Sequence, residues 1–289
     1  MKRAICLTNG ERAENHVGMQ MLGDGLAENG YSLGEMREIA KKFEKMDGKT
    51  EWIDLNKGLE GTGVDGADAA VLLMKNGANV LLRNRCRVDL EGKDDQLKKK
   101  FIRMFSRFNA RKLFDEQFTF EWDKKFWNSR RKVVQNKHAR FNVCYGDEAQ
   151  EPDYENGKGS IIAYSSLPVM QMWREELLKL CCEDDSSFQT EGNLYYDVER
   201  TGIGFHGDGE RRKVVAGNFS DEGVVREINW IWYHNGERIG NRTRVFLENG
   251  DMYIMSEKAA GTDWKRRIVP TLRHAAAVEG TRGAKKYLA

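Results

Sequence analysis

His206 and Asp208 stand one residue apart in the string FHGDGER, at the end of an apolar run, and His274 follows in TLRHAA. Two imidazoles and one carboxylate can occupy three positions on one face of an iron ion. The opposite face then stays open for a cosubstrate and oxygen. A strand ending in His-x-Asp turns both side chains to one side, because strand side chains repeat every two residues. His274 must then arrive on a strand paired nearby, which a β-barrel provides and a helical bundle does not. Two other histidines compete for the third place. His234 lies at the tip of an Asn-Gly hairpin, where solvent is expected, and His138 lies in a basic segment where it could serve a substrate. A core histidine beside a turn aspartate is the plainer reading of the same residues. His16 has no assignable role.

The elements that must position these residues are short strands. NLYYDV, GIGFH, KVVAGNF, INWIWYH, RVFLE, DMYIMS and TLRHAA follow one another closely, and INWIWYHNGERIG alternates with Asn-Gly as a hairpin turn. KVVQ, RFNVCY and SIIAYSS are further β-rich runs upstream. PVMQMWREELLKLCC reads as a helix with Pro168 at its start, and Cys181 and Cys182 as packing residues at its end. Strands downstream of helices point to a jelly-roll or barrel flanked by helices. Nearer the N-terminus, AICLT reads as a strand, and VGMQMLGDGLAENG and SLGEMREIAKKFEKMDG as two helices. The second of these opens on Ser32 and closes on Gly48. TEWIDL and AAVLLMKNGANVLL are apolar runs that periodicity cannot assign. Residues 96–114 read as one helix, with Phe101, Met104, Phe105 and Phe108 along one face.

The chain has 289 residues, of which 40% are hydrophobic and 32% charged, enough for a large core under a wet surface. No apolar run approaches the ~18 residues of a membrane span, and the N-terminus lacks the ~7–15 apolar residues of a secretory signal. Five cysteines without a CxxC pair argue for reduced thiols and an intracellular setting, cytoplasmic or nuclear. The net charge is only +2, yet residues 96–140 carry fourteen Lys or Arg against four acids. A local field of that kind suits a polyanion, although a solvated helix face explains part of it.

The region from about residue 125 to the C-terminus resembles the AlkB-like branch of the iron(II)/2-oxoglutarate dioxygenases. NLYYDVERTGIGFHGDGE is similar to that family's Asn-x-Tyr strand followed by its metal-binding His-x-Asp. LPVMQMWREELLKL resembles the helix before that strand, SRRKVVQNKHARFNVCYGD the basic substrate-lid hairpin, and GDMYIMS the strand before the distal histidine. The resemblance implies an α+β fold: a double-stranded β-helix (jelly-roll) core flanked by helices. Residues 96–289 would form the dioxygenase domain, and residues 1–95 an N-terminal α/β extension of unknown role.

The resemblance also implies roles. His206, Asp208 and His274 would bind Fe(II). Asn193 and Tyr195 would hydrogen-bond 2-oxoglutarate, and Glu210 would lie near the substrate base. Arg130, Arg131 and Lys132 would form a nucleic-acid lid, with His138 and Tyr145 as further substrate contacts. Tyr145 or Trp127 could stack on a base, although Trp127 is equally a core candidate. The expected activity is hydroxylation or oxidative demethylation of a methylated base in DNA or RNA, consuming O2 and releasing succinate and CO2. A protein or small-molecule hydroxylase is the alternative on the same fold, and a non-catalytic binding module is a third reading.

The chain also departs from the family pattern. The loop SEKAAGTDWKRR expands the segment before His274, and Arg266 follows Trp264 where the family has its histidine. The paired C-terminal arginines are not cleanly matched. Arg282 lies eight residues after His274, so an extended strand would put both on one face. Arg282 is therefore the candidate for the far carboxylate of 2-oxoglutarate, with Lys286 as runner-up and a surface arginine as the plain alternative.

Overall fold

Strand Ala4–Gly10 is buried along nearly its whole length, and its two faces meet different partners. Ile5 and Leu7 join a core built with helices, whereas Ala4 and Cys6 join a core built with a second sheet. That division describes the whole molecule. The computed structural model describes residues 1–90, 92–105 and 107–289. Among the described residues an eight-stranded sheet forms the middle layer. Its strands run in the order Lys49–Asp54, Ala70–Lys75, Met252–Met255, Val214–Ser220, Ala4–Gly10, Gln189–Tyr195, Phe141–Gly146, Ile161–Ala163. All neighbours in it are antiparallel except the last pair. A four-stranded antiparallel sheet, in the order Ile203–His206, Thr271–Val278, Arg226–His234, Glu237–Leu247, covers one face. Helices cover the other, through Phe43, Leu81, Phe114, Trp173 and Leu177.

The fold is thus mixed α and β and dominated by antiparallel sheets. Strands buried on both faces read as continuous apolar runs, which is why periodicity cannot assign AAVLLMK, whereas TEWIDL forms the half-exposed edge strand Lys49–Asp54. The AAVLLMK run ends where Asn76 adopts a positive φ of 52°, and helix Gly77–Leu90 begins.

The expected division at residue 95 cuts through this sheet. Three of its strands come from residues 1–95, and Ala4–Gly10 lies between Gln189–Tyr195 and Val214–Ser220. Main-chain pairing with distant strands, rather than a local core, holds this region in place.

Local readings meet the structure unevenly. Ser32 and Glu35 form a reciprocal capping box at the start of helix Leu33–Glu44, which ends before the expected Gly48. The expected helix over residues 17–30 does not form. Gly18 and Gly23 have φ of 83° and 92°, and a Cβ at Gly23 would sit 2.1 Å from the Glu11 carbonyl oxygen. Residues 96–114 split into Asp95–Phe105 and Ala110–Glu116, the second capped by Asn109. The side chains of Phe101, Met104 and Phe105 lie outside the described residues. Helix Pro168–Cys181 starts at its proline as expected, but Cys182 caps it in a left-handed conformation with an exposed thiol.

Candidate metal centre

His206 is the last residue of its strand and sits directly opposite His274 on the neighbouring strand. Cross-strand partners project to the same face, so the two rings approach to 4.4 Å between centroids. Asp208 lies just past the strand, where its backbone N–H donates to the Ala260 carbonyl at 2.9 Å. Gly207 makes this turn possible, because a Cβ there would come 2.0 Å from the Gly261 carbonyl oxygen. His206 Nε2 and His274 Nε2 lie 3.6 Å and 3.5 Å from the same oxygen, Asp208 Oδ1. The ligand atoms of all three residues lie within 4.8 Å of one another. His234 ends the strand before the hairpin turn and His138 is exposed; neither enters this group.

The protonation states suit a cation. His206 Nδ1 lies 2.8 Å from the Gly204 carbonyl oxygen, so the ring donates there and leaves Nε2 with its lone pair. Burial, followed by the neighbouring His274, brings His206 down to about 3. Burial acts to raise the Asp208 carboxyl, but His274, Arg211 and His206 outweigh it and hold Asp208 well below the usual carboxylate range. Two imidazoles and one carboxylate converge, the donor set of a divalent transition metal with an open face. The residues fit a divalent metal such as iron(II).

A cleft between the two sheets opens beside these residues. Asn193, Tyr195 and Glu210 line it. Asn193 Oδ1 accepts from Arg140 Nε at 2.5 Å, and its Nδ2 donates to Glu191 at 2.9 Å. Glu210 accepts from Arg211 Nη2 at 2.8 Å, and burial pushes its carboxyl upward. Arg211 is itself buried and also donates to Glu191 at 2.5 Å.

Arg282 does not reach this cleft. The strand ends at Val278, Gly280 turns with φ 77°, and Thr281 caps a short helix, Arg282–Tyr287. Arg282 is exposed at the start of that helix, and Lys286 is exposed over the Tyr287 ring. Extended-strand parity fails because the strand stops before either residue. Three guanidiniums line the cleft instead, those of Arg140, Arg211 and Arg226, and of these Arg226 is 2% exposed and has no carboxylate partner among the described residues. Its Nε donates to Asn218 Oδ1 at 2.8 Å and its Nη1 to the Tyr195 hydroxyl at 3.5 Å. Its Nη2 is buried without a partner among the described residues. A sequence signal existed: Arg226 shares parity with Ile228, Trp230 and Trp232, the inward-facing residues of its strand.

Tyr145 is also displaced from its expected role. It is fully buried on the helix side of the sheet, where its hydroxyl donates to Gln117 at 2.6 Å, so it cannot stack on a base. Arg130, Arg131 and Lys132 are exposed at the tip of a two-stranded hairpin, Lys125–Asn128 with Val133–Asn136. Trp127 is half-buried in it. His138 lines an outer cleft with His16, Phe126 and Lys137. Arg140 lines both this cleft and the inner one.

His16, unassigned from sequence, stacks on Phe126 with centroids 3.8 Å apart and an interplanar angle of 14°. Burial, and then Lys137, brings its ring down to about 4. A histidine whose folded pKa is depressed below its unfolded ~6.5 contributes stability above that value. The contribution is lost as pH falls toward about 4. His16→Phe keeps the stack and removes the titration. The variant is therefore expected to lose less stability than the parent between pH 7 and pH 5, read as urea midpoints. Equal losses would contradict this account.

No protein-family model matches the chain. No described helix is long and apolar enough to cross a membrane. The chain is similar to the uncharacterized protein R156 of Acanthamoeba polyphaga mimivirus, with 34% identity over 276 residues. The match covers 95% of this chain and 96% of that protein.

Proposed function

The chain belongs to the same family as the mimivirus protein R156, and we propose that it is an iron(II)- and 2-oxoglutarate-dependent dioxygenase acting on a base in DNA or RNA. One observation carries the reading. His206, Asp208 and His274 converge on a cleft that also holds a buried guanidinium, Arg226, with an unpartnered Nη2. A three-ligand metal face and a buried cation suit a cosubstrate that chelates at one end and carries a carboxylate at the other.

The strand order supports a double-stranded β-helix. Counted from Gln189–Tyr195, seven strands fall into the two sheets in the order a jelly roll requires. The place of the eighth, between the first and third, is taken by Ala4–Gly10. In this reading the N-terminal strand replaces the C-terminal strand that carries the family's arginines. It offers Cys6 and Thr8 to the cleft instead, and the cation comes from Arg226.

Iron with 2-oxoglutarate and oxygen supplies hydroxylation of a C–H bond, which on an N-methyl group ends in loss of formaldehyde. The chain does the rest. His206, Asp208 and His274 hold the metal. Arg226, with the Tyr195 hydroxyl beside it, binds the far carboxylate of 2-oxoglutarate, and Asn193 orients its near end. Ile203, Val214, Ile228 and Met255 line the cleft and exclude water from it. Arg140 stands where the inner and outer clefts meet, and the exposed hairpin cations contact phosphates. A base reaches such a buried centre only when flipped or single-stranded.

Anaerobic titration with iron(II) and 2-oxoglutarate tests the chemistry. The expected result is a weak visible charge-transfer band that saturates at one equivalent of each. No band at millimolar cosubstrate would overturn the assignment. Oligonucleotide affinity should fall steeply with salt, and a flat response would leave the protein or small-molecule substrate as the better reading.

A further inference from the structure

The outer face of the four-stranded sheet, turned away from the metal, carries a second set of cations. Arg238 and Arg242 both lie over the Phe205 ring, at 4.9 Å and 5.3 Å from its centroid. Arg238 also donates to the Tyr233 hydroxyl at 2.9 Å. Arg273 lies over the same Tyr233 at 3.8 Å and over Trp264 at 5.2 Å. The loop after Trp264 adds exposed Lys265, Arg266 and Arg267, and its Arg267 carbonyl accepts from Asn235 N–H at the hairpin tip at 2.9 Å. Together these residues make one continuous surface.

Three features separate it from an ordinary solvated face. Nearby cations are neutralised: Arg244 pairs with Glu227 and Glu279 at 2.6 Å and 2.7 Å, and Lys258 with Asp263 at 2.7 Å. Among the described residues, Arg242, Lys265, Arg266, Arg267 and Arg273 form no ion pair with an Asp or Glu side chain. Next, Arg242 shares the Phe205 ring with Arg238, whose Nη2 already donates to the Ala289 carbonyl oxygen at 2.8 Å, so Arg242 is the guanidinium of the pair that an anion would meet. Last, aromatic rings lie beneath the guanidiniums of Arg238, Arg242 and Arg273, a setting in which arginine can still offer bidentate hydrogen bonds to an anion. Arg273 Nε is moreover buried with no partner.

We infer that this face is a second nucleic-acid contact, binding the phosphodiester backbone outside the cleft. It extends the nucleic-acid reading above but uses none of the same residues, so either can fail alone. Arginines on aromatic platforms spread over a sheet fit successive phosphates better than an anionic membrane. A membrane would need an apolar prong broader than the exposed pair Ile268 and Val269.

The test uses the full chain, free of metal, with labelled duplex and single-stranded oligonucleotides of identical sequence. Fluorescence anisotropy is measured from low to moderate salt. Arg242→Glu/Arg266→Glu/Arg267→Glu is expected to lower affinity for at least one of them by tenfold or more. It should also flatten the salt dependence by roughly 0.9 in log–log slope for each phosphate no longer neutralised. The milder Arg242→Gln/Arg266→Gln/Arg267→Gln should give an intermediate loss, which guards against a folding artefact of charge reversal. Arg130→Glu/Arg131→Glu/Lys132→Glu reports the hairpin separately. Unchanged affinity in both back-face variants overturns the inference, as does binding to phosphatidylserine vesicles in place of either oligonucleotide. If the hairpin variant alone weakens binding, the back face is excluded and the nucleic-acid reading of the cleft survives.

Discussion

Asp208→Ala is expected to abolish metal binding while leaving the fold intact. Asp208 supplies the anionic ligand of the candidate centre, and its Oδ1 lies 3.6 Å and 3.5 Å from the two imidazole Nε2 atoms. Without it, only the two imidazoles remain, with no anionic ligand to offset the desolvation of a divalent cation. Loss of groups that merely orient ligands costs ~10–100-fold in affinity, so loss of the anionic ligand should cost at least the upper end of that range. The fold should tolerate the change. Arg211, 3.9 Å from Asp208, keeps its bonds to Glu191 and Glu210 at 2.5 Å and 2.8 Å. Isothermal titration with iron(II) or cobalt(II), alongside urea unfolding, reads both quantities. Parent-like metal affinity in the variant would remove Asp208 from the site.

Arg226→Met is expected to separate cosubstrate binding from metal binding. Removing the cation of a buried charge pair costs ~2–5 kcal/mol, so 2-oxoglutarate affinity should drop by about thirtyfold or more. Iron(II) affinity without 2-oxoglutarate should stay within about threefold, because Arg226 is not a ligand. The ligand-free variant should change little in thermal stability, because relief of the buried cation's desolvation opposes the cost of leaving Asn218 Oδ1 without its Arg226 donor. A buried guanidinium with no carboxylate partner has lost hydration without Coulombic return, and methionine fills similar space without that cost. Arg226→Lys keeps the charge but not the fork, and is expected to give an intermediate affinity. Unaltered 2-oxoglutarate binding in Arg226→Met would assign the carboxylate to another cation, with Arg140 and Arg211 next to test.

These expectations divide according to how far each residue's position depends on distant chain. His-x-Asp is a local pattern, but strand periodicity reaches only His206, and Asp208 is brought beside it by the turn at Gly207 and its N–H bond to Ala260. The inward parity of Arg226 with Ile228, Trp230 and Trp232 is local, although the spacing after His274 points to Arg282 instead. The absence of a helix over residues 17–30 is less accessible. Apolar spacing there resembles a helix, and only tertiary packing shows that Gly18 and Gly23 sit at positive φ in a tight fold-back.

The sequence by itself determined the ligand types, the His206–Asp208 spacing, the β-rich character and the charge on the hairpin. The tertiary structure decided that His274 faces His206 across a strand pair, and that Arg226 rather than Arg282 enters the cleft. It also decided that Ala4–Gly10 sits between two strands almost two hundred residues away in the chain. Strand pairing explains the difference. Backbone hydrogen bonds are the same for every residue type, so a strand's composition marks it as a strand without naming its neighbour. Partner and register are chosen only when both faces of the sheet are packed together.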